Sequence, residues 1–244
     1  MPKTSLVWTR SREDWETDRT YLKSFPAPVL HLPCIQSRKI PGSFKRLEDF
    51  AASFAVFTSQ KAVHFAYKHE ELGPLLKTLR IFCFGLKTWE AVQKCGLQGE
   101  YLEGIRTAEA LAGVLEKKIA RGTKVLLPGP VKRVFDLEAH LIRNGICAGS
   151  VDLYETLPTL ELGELEKSEL ISELNGVLCF ASPSACEAFV GCLKPQSNRL
   201  HHLKTLALGP STARICRAFF SSVEMSPENS LEKMVNRARD FFKP

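Results

Sequence analysis

Val56-Phe57-Thr58-Ser59-Gln60-Lys61-Ala62-Val63 and Leu178-Cys179-Phe180-Ala181-Ser182-Pro183-Ser184-Ala185-Cys186 carry one pattern twice: an apolar run, a hydroxyl-bearing break, then a helical start. The echo continues along the chain. Phe84-Gly85-Leu86-Lys87-Thr88-Trp89 returns as Leu208-Gly209-Pro210-Ser211-Thr212-Ala213, and Thr107-Ala108-Glu109-Ala110-Leu111 as Ser230-Leu231-Glu232-Lys233-Met234. Thr58 and Ala181 are 123 positions apart, Gly85 and Gly209 124, Thr107 and Ser230 123. A near-constant offset over three units means a duplicated domain, and a duplicated domain predicts two similar lobes with a cleft between them.

Each unit is a short apolar run, a Gly, Pro or Ser/Thr break, and a helical pattern. Ala55-Val56-Phe57 precedes Ala62, Phe65 and Ala66. Ile81-Phe82-Cys83-Phe84 precedes Trp89 and Val92, with a stop at Gly96. Lys124-Val125-Leu126-Leu127 precedes Pro128-Gly129-Pro130, then Val134, Leu137, Leu141 and Gly145. This alternation predicts an α/β fold in which each lobe is a parallel sheet flanked by helices. The third unit has no counterpart downstream, because the chain ends at Pro244. Its counterpart is expected at the start, where Ser5-Leu6-Val7-Trp8-Thr9-Arg10 reads as a strand and Trp15 to Phe25 as a helix. One lobe is therefore expected to be discontinuous, residues 1–28 with 158–244. The other, 38–149, is inserted into it. The crossings, 29–37 and 150–157, are read from Pro28-Val29-Leu30-His31-Leu32-Pro33 and Ser150 to Pro158, and are expected to run side by side as a two-strand linker and hinge.

The 244 residues allow a large core, and 44% apolar with 25% charged residues is ordinary for a globular protein. The chain has no apolar run of membrane-spanning length, and Met1-Pro2-Lys3-Thr4-Ser5-Leu6 lacks a signal peptide's apolar stretch, so a cytoplasmic protein is expected. The eight cysteines include no Cys-x-x-Cys pair and read as reduced, buried thiols rather than metal ligands. His64 and His69 are five apart, which suits no zinc motif; neither metal nor cofactor is expected. The net charge of +6, from 33 basic and 27 acidic residues, is scattered. It favours an anionic ligand over a cationic one but forms no stripe for nucleic acid.

Hydroxyl residues recur where strands become helices: Thr58-Ser59, Thr88, Ser182 with Ser184, and Ser211-Thr212. Singly, each reads as a helix N-cap. Together they mark the carboxyl edge of parallel sheets, where ligands of open α/β folds bind and where helix N-termini favour carboxylate or phosphate. That predicts a ligand with several anionic groups. Tyr154, on the exit crossing, is either a half-buried strand aromatic or a phenol able to donate a proton inside the cleft. No Ser/His/Asp arrangement, Walker pattern or Gly-x-Gly-x-x-Gly is present.

The chain resembles the uroporphyrinogen-III synthase family through Phe57-Thr58-Ser59-x-x-Ala62-Val63, Gly85-x-x-Thr88, Val125-Leu126-Leu127-Pro128, Tyr154-Glu155-Thr156, Phe180-x-Ser182-Pro183-Ser184 and Gly209-Pro210-Ser211-Thr212-Ala213. The resemblance implies a cofactor-free enzyme acting as a monomer on a linear tetrapyrrole, hydroxymethylbilane. Such enzymes remove the terminal hydroxyl as water, invert the last pyrrole ring and close the macrocycle to uroporphyrinogen III. The alternative is a two-lobed polycarboxylate-binding protein without chemistry. The resemblance makes Tyr154 the cleft tyrosine assisting hydroxyl departure. It gives Thr58, Ser59, Thr88, Ser182, Ser184, Ser211 and Thr212 to substrate binding, with Lys61 and Lys132 added as charge partners. The chain departs from the family pattern at Lys87 and Trp89, where small residues are usual, and at Gly129-Pro130.

Overall fold

The computed structural model describes residues 4–40, 50–105 and 107–243; Met1–Lys3, part of the opening read for a signal peptide, lie outside them. The chain divides into two compact units, one drawn from Met1–Ser37 with Thr156–Pro244, the other from Arg38–Glu155.

In the discontinuous lobe, β1 (Ser5–Trp8) is followed by α1 (Arg12–Leu22) and β2 (Val29–His31). The C-terminal part supplies β9 (Gly176–Phe180), β10 (Lys204–Ala207) and β11 (Ser222–Met225). Its helices are α7 (Glu164–Glu173), α8 (Pro183–Cys192), α9 (Pro210–Cys216) and α10 (Leu231–Asp240). The sheet order is β11-β10-β9-β1-β2, all parallel. Alternate strand residues feed opposite cores. Val7, Leu178 and Phe180 pack with α8 and α9, whereas Leu6, Trp8, Val177 and Cys179 pack with Met234, Val235 and Ala238 of α10. This period of two with both faces covered is what a buried parallel sheet requires. Gly176 permits the β9–β1 junction: at φ +146°, a Cβ there would sit 1.9 Å from the Ser5 carbonyl oxygen.

The inserted lobe contains β4 (Phe54–Phe57), α2 (Gln60–Tyr67), α3 (Leu72–Leu76), β5 (Arg80–Phe84), α4 (Leu86–Lys94), β6 (Gly99–Leu102) and α5 (Ala108–Lys118). It continues with β7 (Lys124–Pro130), α6 (Leu137–Arg143) and the long β8 (Cys147–Pro158). The sheet order is β3-β8-β7-β4-β5-β6, β3 being Ile35–Lys39, and the β8-β7-β4-β5-β6 run is parallel. Ala55, Phe57, Ile81, Cys83 and Leu126 face one core with α2 and α4; Val56, Phe82, Val125 and Leu127 face the other with α5 and α6.

The repeat is a repeat of helix caps. Ser59 and Ser182 are the N-caps of α2 and α8, Gly85 and Gly209 of α4 and α9, Thr107 and Ser230 of α5 and α10. The two sheets share one order, with β7 and β8 in one lobe matched by β1 and β2 in the other.

Several boundaries differ from expectation. Val29–His31 does not pair with the exit segment; it pairs in parallel with β1, and β8 lies between β7 and β3, Ile35–Lys39. Ile40 N–H donates to Leu153, Arg38 pairs with Glu155, and Thr159 N–H donates to Cys34. The numbers run in opposite senses, so β3 and β8 are antiparallel. Helix α1 begins three residues before Trp15, where Glu13 and Asp14 suit a helix N-terminus. It stops before Ser24, whose φ is +77°. Strand β7 runs through Pro128 to Pro130 rather than breaking there. Its pairing with β4 ends at Leu126, so the prolines occupy a stretch bonded to β8 alone, where a missing N–H is tolerated.

Candidate functional site

The carboxyl ends of β4, β5, β7 and β8 bring the inserted lobe's candidate residues to one sheet edge. Thr58 and Ser59 follow β4, Gly85 through Thr88 follow β5, Val131 to Arg133 follow β7, and Tyr154 lies on β8. Tyr154 is 6% exposed. Its hydroxyl lies 3.3 Å from Ser59 Oγ, and its ring stacks on Phe65 of α2 at 5.0 Å between centroids. Ser59 Oγ also accepts the Ala62 N–H at 3.1 Å, the N-cap bond of α2. Capping and contact with Tyr154 therefore coexist in one hydroxyl.

The direction of the Tyr154 side chain depends on an irregularity in the ladder. Leu127 to Gly129 pair one-to-one with Ser150 to Asp152, then Pro130 pairs with Tyr154, so Leu153 is an extra residue. Val151 and Leu153 both belong to the core under α2. Strict alternation would send Tyr154 to the opposite face, yet it lies in that same core. The bulge turns it there.

The other candidates divide by exposure. Thr58 and Lys132 are exposed, and Lys61, the second residue of α2, is half-buried. Thr88 is the third residue of α4 and only 4% exposed. Gly85, at φ +90°, makes the turn from β5 into α4 that Thr88 follows.

In the discontinuous lobe the matching edge carries Ser182, Ser184, Ser211 and Thr212. Ser182 Oγ accepts from Ala185 N–H at 3.3 Å as the cap of α8 and lies 3.1 Å from Ser184 Oγ. Ser211 is half-buried; Thr212, the third residue of α9, is 2% exposed. Thr88 and Thr212 are thus equivalent in place and in burial, and both offer far less surface than expected for ligand-facing groups. Their position on the first helical turn, packed under the strand end, accounts for it.

Two arginines at these edges were not singled out from the sequence. Arg133 Nη1 donates to Asp152 Oδ1 at 2.7 Å, and Nη2 to the Leu127 carbonyl at 3.3 Å. Arg10, just after β1, lies 3.0 Å from Asp14 and 2.9 Å from Asp18. Asp18 is 1% exposed and accepts the Trp8 indole N–H at 2.8 Å. Burial pushes its carboxyl above the ordinary value, against the opposing pull of Arg10 and the Trp8 bond. Arg10 therefore faces two carboxylates of its own lobe, a buttress more than a grip for an acidic ligand. The five fully buried cysteines include Cys83, whose thiol burial pushes up to about 12. Among the described residues no cluster of three His, Cys, Asp or Glu could hold a metal ion, and no helix is long and apolar enough to cross a membrane.

Comparison with known proteins places these edges in context. The family model described as "Uroporphyrinogen-III synthase HemD" matches residues 17–236. A crystal structure of uroporphyrinogen-III synthetase from Helicobacter pylori superposes with a TM-score of 0.67 at 18% identity, covering 97% of this chain and 99% of that one. A mutant uroporphyrinogen III synthase from Thermus thermophilus gives 0.64 at 19% identity, covering 98% of each. At these identities the superpositions speak for the fold. No curated protein matches the chain significantly.

Proposed function

Because the chain belongs to the uroporphyrinogen-III synthase family, we propose that Tyr154 assists departure of the hydroxyl from hydroxymethylbilane while the two hydroxyl-bearing sheet edges hold the substrate's carboxylates. The protein is a cyclising lyase of haem biosynthesis, converting hydroxymethylbilane to uroporphyrinogen III. A polycarboxylate binder without chemistry is not favoured.

Hydroxide leaves carbon poorly, and a proton delivered to it lets it depart as water. The electron pair of the adjoining pyrrole nitrogen stabilises the carbon left behind. A phenol hydroxyl is a donor that can supply that proton. The substituted carbon of the last ring attacks that carbon to form a spiro intermediate; its older bond to the preceding methylene bridge then breaks, the bridge re-bonds at the ring's unsubstituted α-carbon, and the proton lost from that carbon restores the phenol. The bilane closes unaided to the uninverted isomer, so the larger task is to hold its ends for attack at the substituted carbon. On this reading Thr58, Ser59, Lys61, Thr88 and Lys132 serve one edge, and Ser182, Ser184, Ser211 and Thr212 the other.

The observation that supports Tyr154 is its burial at the carboxyl edge with its hydroxyl 3.3 Å from Ser59. The test is Tyr154→Phe, assayed with fresh hydroxymethylbilane and separation of product isomers. We expect formation of the inverted isomer to slow by about 100-fold, within the usual span for general acid catalysis, with circular dichroism unchanged. An undiminished rate removes the phenol from the chemistry. We take the enzyme to be a cytoplasmic monomer that binds no nucleic acid. Its eight cysteines are all unpaired, which fits a reducing compartment, and sedimentation should return the mass of one 27.3 kDa chain. A dimer mass would overturn the monomer.

A further inference from the structure

We propose that Arg133 is a positioning residue that locks the β7–β8 bulge and thereby aims the Tyr154 phenol; the proposal rests on the role given to Tyr154 above. Besides its bonds to Asp152 and the Leu127 carbonyl, the guanidinium reaches the Val151 carbonyl at 3.5 Å and the Val131 carbonyl at 3.4 Å. It therefore ties β8 just before the extra residue Leu153 to the β7 chain on both sides of the shift, at Leu127 and Val131. The guanidinium packs over Gly129, the last regularly paired residue of β7 before the shift: a Cβ there would lie in ordinary contact with Nε and Nη2, at 3.6 Å. Just past the shift, Val131 N–H donates to the Tyr154 carbonyl at 2.9 Å. These contacts fix the chain immediately before Tyr154 and at its own carbonyl. One planar group with several fixed donors suits this task, where an ammonium would serve as a point charge.

A bulge in a parallel ladder is uncommon and redirects side chains. Without it, alternation would carry Tyr154 away from Ser59 and Phe65. Arg133 touches neither of those residues in any bond described, so its effect on turnover must pass through the strand.

The experiment compares Arg133→Met and Asp152→Asn, each alone and combined with Tyr154→Phe, by kcat and KM for the inverted isomer and by thermal melting. Arg133→Met is expected to lower kcat about tenfold, the scale of a small misplacement of a catalytic group, with KM unchanged. In the Tyr154→Phe background it should cause no further loss. Asp152→Asn keeps the shape but removes the charge and should show the same pattern more weakly; as a partly exposed position it serves if Arg133→Met fails to fold. A raised KM with kcat kept would make Arg133 a substrate contact and overturn the proposal. So would equal losses with and without Tyr154, or lowered melting with full kcat. If Tyr154→Phe alone runs at the parent rate, the reading of the phenol fails instead, independently of what Arg133 does.

Discussion

The two lobes share a sheet order and a set of capped helices, yet differ at one pair of strands. In the discontinuous lobe, β1 and β2 are short, with one-to-one pairing that ends at Trp8 and His31. In the inserted lobe, β7 and β8 run several residues further and slip by one at Leu153. The first ends in an arginine tied to two acids of its own helix; the second ends in a phenol turned into the edge. Duplication supplied a common frame with hydroxyls after matched strands, β4 with β9 and β5 with β10. Lengthening and bulging one strand pair put the phenol proposed as proton donor on one copy only. We therefore expect the lobes to be alike where paired helix caps are probed for stability, and unlike at the closing strand and when probed for chemistry.

The largest effect is expected where the discontinuous lobe is closed by its N-terminal strand. Gly176→Ala must displace the Ser5 carbonyl, costing about 3 kcal/mol or more. The equivalent position of the inserted lobe is Ser53, so Ser53→Ala should cost well under that in urea denaturation. Equal losses would break the contrast.

Next come the paired caps. Ser59→Ala and Ser182→Ala should each lose about 1 kcal/mol, because each accepts one first-turn N–H. Only Ser59 also meets Tyr154. Its loss should lower kcat, whereas loss of Ser182 should act on KM; the same kinetic signature for both would blur the division of labour. Thr88→Ala and Thr212→Ala, buried alike, should show modest and similar loss of stability with small kinetic changes.

The smallest effect concerns pH. Burial holds Asp18 above its ordinary 3.8, so the folded lobe binds this proton more tightly than the unfolded chain. Stability from this group is present at low pH and declines as pH rises from 3.8 through the raised value. Asp18→Asn should flatten that decline in denaturation series at stepped pH. An unchanged profile would mean that Arg10 and Trp8 compensate fully.

Much of the frame was legible because caps and strand ends are local. The offsets at Gly85 and Gly209, or Thr107 and Ser230, fall on N-cap residues whose types are fixed by backbone geometry. What escaped was non-local. Pro128 and Pro130 read as a break, since nothing in the sequence says that β4 stops pairing at Leu126. Val29–His31 and Ile35–Lys39 are both extended, and only pairing separates a sheet strand from the neighbour of β8. Arg133 gives no signal in the sequence because its partner, Asp152, lies 19 residues away. The bulge at Leu153 leaves no mark in Leu153-Tyr154-Glu155.

The central claim, that one lobe alone carries the proton donor, is tested most directly by replacing Tyr154 with a fluorinated tyrosine of lower phenol pKa. The pH profile of kcat for the inverted isomer is then measured. We predict that its alkaline limb moves down in step with the phenol's acidity; a limb that stays in place would contradict proton donation by Tyr154.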